Sequence, residues 1–244
     1  HLYGDITLAR ALDLQESERP DLKIVVMSAT MDTRPLARYM EGAKVLESEG
    51  RTYPVDIQYI RSKPSEREPI WETTVKAFER LVQSGLDGDV LIFMPGGYEI
   101  QRTIRELQQS GAAGGFVVLP LHGEQPPAEQ DKAIDRYDQP KVIVSTNVAE
   151  TSLTIEGIKA VIDSGLARVP RFDAHRGINT LWIEKISTAS ADQRAGRAGR
   201  TAPGQCVRLW TEQDQSERRP SDAPEVKRLG LSEVILTLKA ADVE

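Results

Sequence analysis

The sequence predicts an α/β fold, a parallel sheet flanked by helices, and two observations carry that prediction. Four short, β-branched runs at 24–27, 90–93, 142–144 and 160–162 are apolar on consecutive positions rather than alternate ones. Strands covered on both faces have that pattern. Between them, 70–84 and 99–109 carry apolar residues at helical spacing. Strand, loop, helix, strand is the rhythm of a parallel sheet.

Taken in order, the first run ends at Ser28-Ala29-Thr30, the second at Pro95-Gly96-Gly97 and the third at Ser145-Thr146-Asn147. Ligands of such sheets gather beyond the carboxyl ends of strands, so these small, polar ends are the first places to look for chemistry. A domain boundary is expected near 50–54. Residues 1–50 then form one unit, 51–56 a linker and 57–215 a second unit, which opens on the extended run 55–60. Residues 64–69 are polar and proline-flanked, hence a surface loop. A second boundary is expected within 215–224, which is charged and proline-containing, leaving 216–244 as a further segment. Its residues 229–240 have helical spacing, but 229–244 is too short to fold alone, and weak order is expected there.

Composition removes several classes of function. No apolar run reaches the 18 or more residues of a membrane span. The single cysteine, Cys206, excludes an internal disulfide and fits a reducing, cytoplasmic setting. With three histidines in 244 residues and no ligand cluster, a zinc site is not expected. The formal net charge of −6 argues against a chain-wide nucleic-acid surface. Between residues 167 and 220, however, ten basic residues face six acidic ones, a local basic region in an acidic chain.

The most informative segment is Asp192-Gln193-Arg194-Ala195-Gly196-Arg197-Ala198-Gly199-Arg200. Read as one helix at roughly 100° per residue, it gathers Gln193, Arg197 and Arg200 within about 60° of one another. Arg194 points to one side, and Ala195, Ala198 and Gly199 form a small-residue face that can press closely on a sheet. Each interior glycine costs about 1 kcal/mol against alanine, so a plain surface helix would use them poorly. Two forked guanidiniums and an amide on one face suit a phosphate-bearing ligand.

These residues carry a resemblance. The stretch 193–200, Gln-Arg-Ala-Gly-Arg-Ala-Gly-Arg, resembles motif VI of superfamily 2 helicases in the form carried by the DEAH/RHA group. Residues 28–30 resemble motif III, 90–100 motif IV and its loop, 145–155 (Ser-Thr-Asn-Val-Ala-Glu-Thr-Ser-Leu-Thr-Ile) motif V, and 50–55 the linker between motor domains. All five stand in the family's order and spacing. The chain is identified as similar to bacterial DEAH-box ATP-dependent RNA helicases.

That resemblance implies RecA-like domains: the C-terminal part of a first, a complete second, and the start of a winged-helix segment at 216–244. It implies ATP or another NTP between the two motor domains and RNA across their top. Arg197 and Arg200 would be arginine fingers on the γ-phosphoryl group, and Gln193 would position the attacking water. Thr154 and Glu156 would contact the nucleotide ribose; many relatives have Asp where Glu156 stands. Ser28 and Thr30 would relay nucleotide state toward the RNA site. Thr146, Asn147, Gly96 and Gly97 would contact RNA phosphates, and 168–181, with Arg171 and Arg176, would form a β-hairpin against the nucleic acid. Near 130–137, where the family often stacks a phenylalanine on the adenine, the sequence offers Ile134 and Tyr137.

No Gly-x-x-x-x-Gly-Lys-Ser/Thr loop is present, and neither is the Asp-Glu pair that would hold Mg²⁺. Under the resemblance these belong to an upstream part of the first motor domain, and the chain alone is expected not to hydrolyse ATP. Two other classes stay open at this point: a catalytically inactive module that holds RNA or a protein partner, and a DNA-directed translocase gripping the phosphates that RNA and DNA share.

Overall fold

The computed structural model describes residues 2–27, 33–40, 42–46, 53–65, 67–151 and 155–241. They fall into two compact units, His1–Arg51 with Pro224–Lys227, and Thr52–Ala223 with Arg228–Glu244. The candidate residues Ser28, Thr30 and Thr154 lie outside the described residues.

In the first unit, helix α1 (Leu2–Ser17) buries Leu2, whose N–H donates to the Glu225 carboxylate at 2.7 Å. Helix α2 (Thr33–Tyr39) follows. Residues 24–27, expected as a strand, are not one here: no strand is assigned, and Val25 and Met27 are 78% and 88% exposed. A strand exists only through the backbone of a neighbour, and no described residue pairs with this run.

The second unit contains strands β1 (Val55–Tyr59), β2 (Asp89–Phe93), β3 (Val117–Leu121), β4 (Lys141–Ser145), β5 (Ile158–Asp163), β6 (Leu166–Asp173), β7 (Ile178–Lys185) and β8 (Gly204–Arg208). Six of them form one parallel sheet in the order β1-β8-β5-β2-β4-β3. The helices are α3 (Ile70–Gln83), α4 (Gly97–Ser110), α5 (Pro127–Ile134), α6 (Val148–Thr151), α7 (Thr188–Ala195), α8 (Glu212–Ser216) and α9 (Ser232–Ala240).

The consecutive apolar runs have a direct explanation in two cores, one on each face. Val90 and Ile92 of β2 join Val142, Val144, Ala160 and Ile162 beneath Phe78 and Leu81 of α3 and Ile100 and Leu107 of α4. Leu91 and Phe93 join Ile143 and Val161 beneath Ala149, Ala195 and Ala198 on the other side. Phe78 is fully buried and meets Phe116 edge-on at 5.3 Å. Truncating such a residue to alanine costs about 3–5 kcal/mol. The two buried threonines on α3 and α4 satisfy their hydroxyls within the helix: Thr74 donates to Ile70 O at 2.8 Å and Thr103 to Glu99 O at 2.7 Å.

β6 and β7 form the expected hairpin, antiparallel from Leu166 opposite Lys185 to Asp173 opposite Ile178. The segment expected to be weakly ordered is fastened to it. Phe172 N–H donates to Arg228 O at 2.7 Å, Arg228 Nη1 to Pro170 O at 2.8 Å, and Gly230 N–H to Asn179 Oδ1 at 2.8 Å. Helix α9 follows with Val234 buried and Leu236 exposed.

Candidate functional site

The candidate residues fall at two opposite rims of the sheet. β5 and β8 are adjacent and parallel, with Ala160 beside Gln205, so their amino ends share one rim. Glu156, just ahead of β5, and Arg200, just ahead of β8, both fall there. The opposite rim carries the strand exits: Gly96-Gly97 after β2, Thr146-Asn147 after β4, and Asp163 at the end of β5. Met94 N–H donates to Ser145 O at 2.7 Å and Ser164 N–H to Phe93 O at 3.2 Å, which holds those exits together. The expectation that chemistry gathers at carboxyl ends covers only half of the candidates. The motif VI residues lead to the other rim.

Residues 192–200 are not one helix. α7 stops at Ala195 and continues as a 3-10 turn over Gly196–Gly199. A 3-10 turn advances with three residues per turn instead of 3.6 and is common at helix ends. The one-face arrangement of Gln193, Arg197 and Arg200 is therefore replaced: Arg197 turns inward and is buried, Arg200 is exposed and Gln193 half-buried. Gly199 meets the expectation of close approach, since a Cβ there would lie 2.5 Å from Tyr53 O. Gly196 does not, because a Cβ would meet nothing within 4 Å.

Arg194, set to one side in the sequence reading, is the anchor of the segment. Its guanidinium is fully buried over the Phe93 ring at 4.7 Å. Nε donates to Glu150 Oε2 at 3.0 Å, and Nη1 to Asp163 Oδ1 at 2.8 Å and Leu166 O at 3.2 Å. Burial opposes its charge, but Asp163 and Glu150 outweigh that and hold its pKa above the ordinary arginine value. Glu150 is the second residue the sequence reading passed over. Its carboxylate also accepts from Ser190 Oγ at 2.7 Å, and its main-chain carbonyl accepts from the Arg197 guanidinium. One residue of α6 thus ties the 145–155 segment to the 193–200 segment. The available signal was a lone carboxylate inside a small-residue stretch, and a second, Asp163, directly after the apolar run 160–162.

Burial, then the neighbouring charge of Arg200, lowers the Arg197 pKa to about 10, with Glu150 acting in the opposite sense. Arg197 stays cationic at neutral pH beside the like charge of Arg200, a pair that an anion would relieve. Arg200 makes no hydrogen bond or ion pair with the described residues. Glu156 forms an exposed ion pair with Arg136 at 3.0 Å. Tyr137 is partly exposed close by in the chain and donates its hydroxyl to Lys132 O at 3.0 Å.

On the carboxyl rim, Thr146 is half-buried and Asn147 exposed at the start of α6. Gly96 precedes α4, and a Cβ on it would lie 2.5 Å from Arg168 Nε, whereas Gly97 has open space. Arg168 reaches Glu99 at 3.7 Å. In the hairpin, Arg171 is committed to a two-point contact with Glu184, while Arg176 stands exposed near the turn, 3.9 Å from Asp173. Arg176 is thus the freer of the two candidate hairpin cations.

With this geometry in place, comparison with known proteins is decisive on one point. Residues 73–202 match the helicase conserved C-terminal domain. This chain belongs to that helicase family. The ATP-dependent RNA helicase HrpA of Escherichia coli is 39% identical over 226 residues, covering 91% of this chain and 17% of that protein. The probable ATP-dependent RNA helicase DHX35 of Homo sapiens is 36% identical over 262 residues, covering 100% of this chain and 37% of that protein. The crystal structure of the Escherichia coli DEAH/RHA helicase HrpB superposes with a TM-score of 0.87 at 36% identity, over 96% of this chain and 30% of that one. The helicase domain seen here has the RecA-like α/β fold of that structure. The chain spans roughly a sixth to under two-fifths of the length of the two curated relatives named. Among its described residues no helix is long and apolar enough to cross a membrane.

Proposed function

We propose that this chain is the second motor half of an ATP-dependent RNA helicase, which couples NTP hydrolysis to translocation on RNA and unwinding of it. The observation that carries the reading is the pair Arg197 and Arg200, near enough to feel each other's charge in a segment anchored through Arg194 to Glu150 and Asp163. In this role both guanidiniums neutralise charge on the γ-phosphoryl group as it transfers, Arg200 from solvent and Arg197 from its carbonyl tether. Gln193 orients the attacking water, and Thr154 and Glu156 contact the ribose. Ser28 and Thr30 relay the nucleotide state.

ATP fits the residues present as far as its terminal phosphate, because two like charges held near each other gain from an anion between them. Mg²⁺ would accompany the nucleotide. Its ligands and the phosphate-binding loop belong to the first motor half, and the chain by itself does not turn over ATP. Thr146, Asn147, Gly96 and Gly97 meet RNA phosphates on the carboxyl rim, and Arg171 and Arg176 meet the RNA from the hairpin.

Strand displacement by the intact helicase tests the reading. Wild type separates a labelled RNA duplex only with ATP, and replacing Thr146 and Asn147 together by Ala weakens RNA binding and unwinding while leaving ATP binding in place. An intact protein that binds RNA but separates no duplex with any NTP would replace the motor with a holding module.

A further inference from the structure

We propose that the free edge of β1 is a docking site for an extended, acidic peptide segment of a protein partner, which joins the sheet as an added strand. β1 is the outermost strand, and no described strand pairs with its second edge. Pro54 O accepts from Gly204 N–H at 3.1 Å and Ile60 N–H donates to Arg208 O at 3.2 Å, both toward β8. Backbone groups alternate sides along a strand, so the N–H and C=O of Val55, Ile57 and Tyr59 face away from β8.

The two edges of the sheet are treated differently. β3, at the far edge, carries Pro120, which has no N–H to offer a newcomer. β1 reads Val-Asp-Ile-Gln-Tyr, with neither proline nor lysine, and its Ile57 is 39% exposed. Two cavities flank it. One of about 660 Å³ opens toward α3, lined by Gln58, Arg61, Lys76 and Arg80. One of about 730 Å³ opens toward α8, lined by Ile57, Thr211 and Glu212. An added strand projects its side chains alternately to two sides, which is what a pair of cavities along one edge accommodates.

Charge selects the occupant. Lys63 is held by Asp214 at 2.9 Å and Lys76 by Glu68 at 2.9 Å. The guanidiniums of Arg61 and Arg80 make no ion pair or hydrogen bond with the described residues. Asp56 lies at the other end of β1 and Glu212 in the second cavity, so the partner's carboxylates belong beside Arg61 and Arg80. RNA could answer those charges but not the row of outward backbone groups, which only another backbone complements.

The test uses the 244-residue chain and three probes: acetyl-Val-Thr-Val-Glu-Val-Glu-amide, its Lys-for-Glu counterpart, and oligouridylate. Amide hydrogen exchange at Ile57 and Tyr59 is followed by NMR. The acidic peptide slows exchange at both amides, the lysine peptide does not, and Arg61→Glu with Arg80→Glu weakens acidic-peptide binding about tenfold or more. Ile57→Pro removes an outward N–H without removing a bond to β8, and it abolishes the protection. Should that variant fail to fold, the charge variant decides. Unchanged exchange with the acidic peptide, equal binding of the lysine peptide, or protection by oligouridylate alone would overturn the proposal. Protection that rises with protein concentration and needs no peptide would overturn it too, in favour of a second copy of the chain.

Discussion

Glu150 holds Arg194 with its carboxylate, Nε to Oε2 at 3.0 Å, and holds the Arg197 guanidinium with its main-chain carbonyl. A single residue therefore fixes both the buried root and the inner arginine of the segment that ends at Arg200. Arg194 has a second carboxylate partner in Asp163, itself fully buried. Removing one partner of a buried charge is costly because the other is left uncompensated. Asp163→Ala is expected to lose about 3–5 kcal/mol of stability, and Glu150→Gln about 1.5–3 kcal/mol. Urea denaturation of the chain measures both, as a lower midpoint at unchanged slope.

The two candidate finger arginines separate by stability. Arg200 is exposed and makes no hydrogen bond or ion pair with the described residues, so Arg200→Ala should stay within about 0.5 kcal/mol of wild type. Arg197 is buried on the Glu150 carbonyl, and Arg197→Ala is expected to cost about 1–3 kcal/mol. Thermal unfolding of the two variants side by side checks the difference.

The two glycines of the turn behave oppositely. Gly199→Ala drives a Cβ to 2.5 Å from Tyr53 O and should destabilise by about 1–3 kcal/mol. Gly196→Ala meets open space at φ −58 and should be neutral or stabilising by up to about 1 kcal/mol. Equal losses at both positions would show that the turn is not packed as described.

Acid should weaken the edge near β1. Lys63 foremost, then Thr211 and Lys185, pull the Asp214 pKa down to about 2, against an unfolded value near 4. A folded pKa below the unfolded one gives stability that is complete above about pH 4 and is lost as pH falls toward 2. Lys63→Ala should reduce that loss, and salt should do likewise because Lys63 is solvent-exposed. Urea midpoints at pH 5, 3 and 2 measure it.

Much of the fold was legible because it obeys simple periodicities. β2, β4 and β5 carry the consecutive apolar runs 90–93, 142–144 and 160–162 since each face has its own core, and α3 and α4 carry their buried residues at helical spacing. β8 was not legible: Arg208 is buried in it through Tyr59 and Asp192, so a charge stands where a strand pattern wants an apolar residue. β3 hides behind Pro120, which an edge strand tolerates. Residues 24–27 look like a strand and are not one here, because pairing depends on a neighbour that the run itself does not reveal. At the site, the arginine pattern was legible, but the bend at Gly196 was not, and it exchanges which arginines are buried. Glu150 and Asp163 escaped because their importance lies in contacts to residues far along the chain.

The most direct measurement is RNA-stimulated ATP hydrolysis by the intact helicase, wild type beside Arg200→Ala, with ATP and RNA binding measured in parallel. A fall of roughly 10³ to 10⁵ in turnover is expected, with both ligands still bound. Turnover within a few-fold of wild type would contradict it, and Arg200 would then be a surface arginine with no part in phosphoryl transfer.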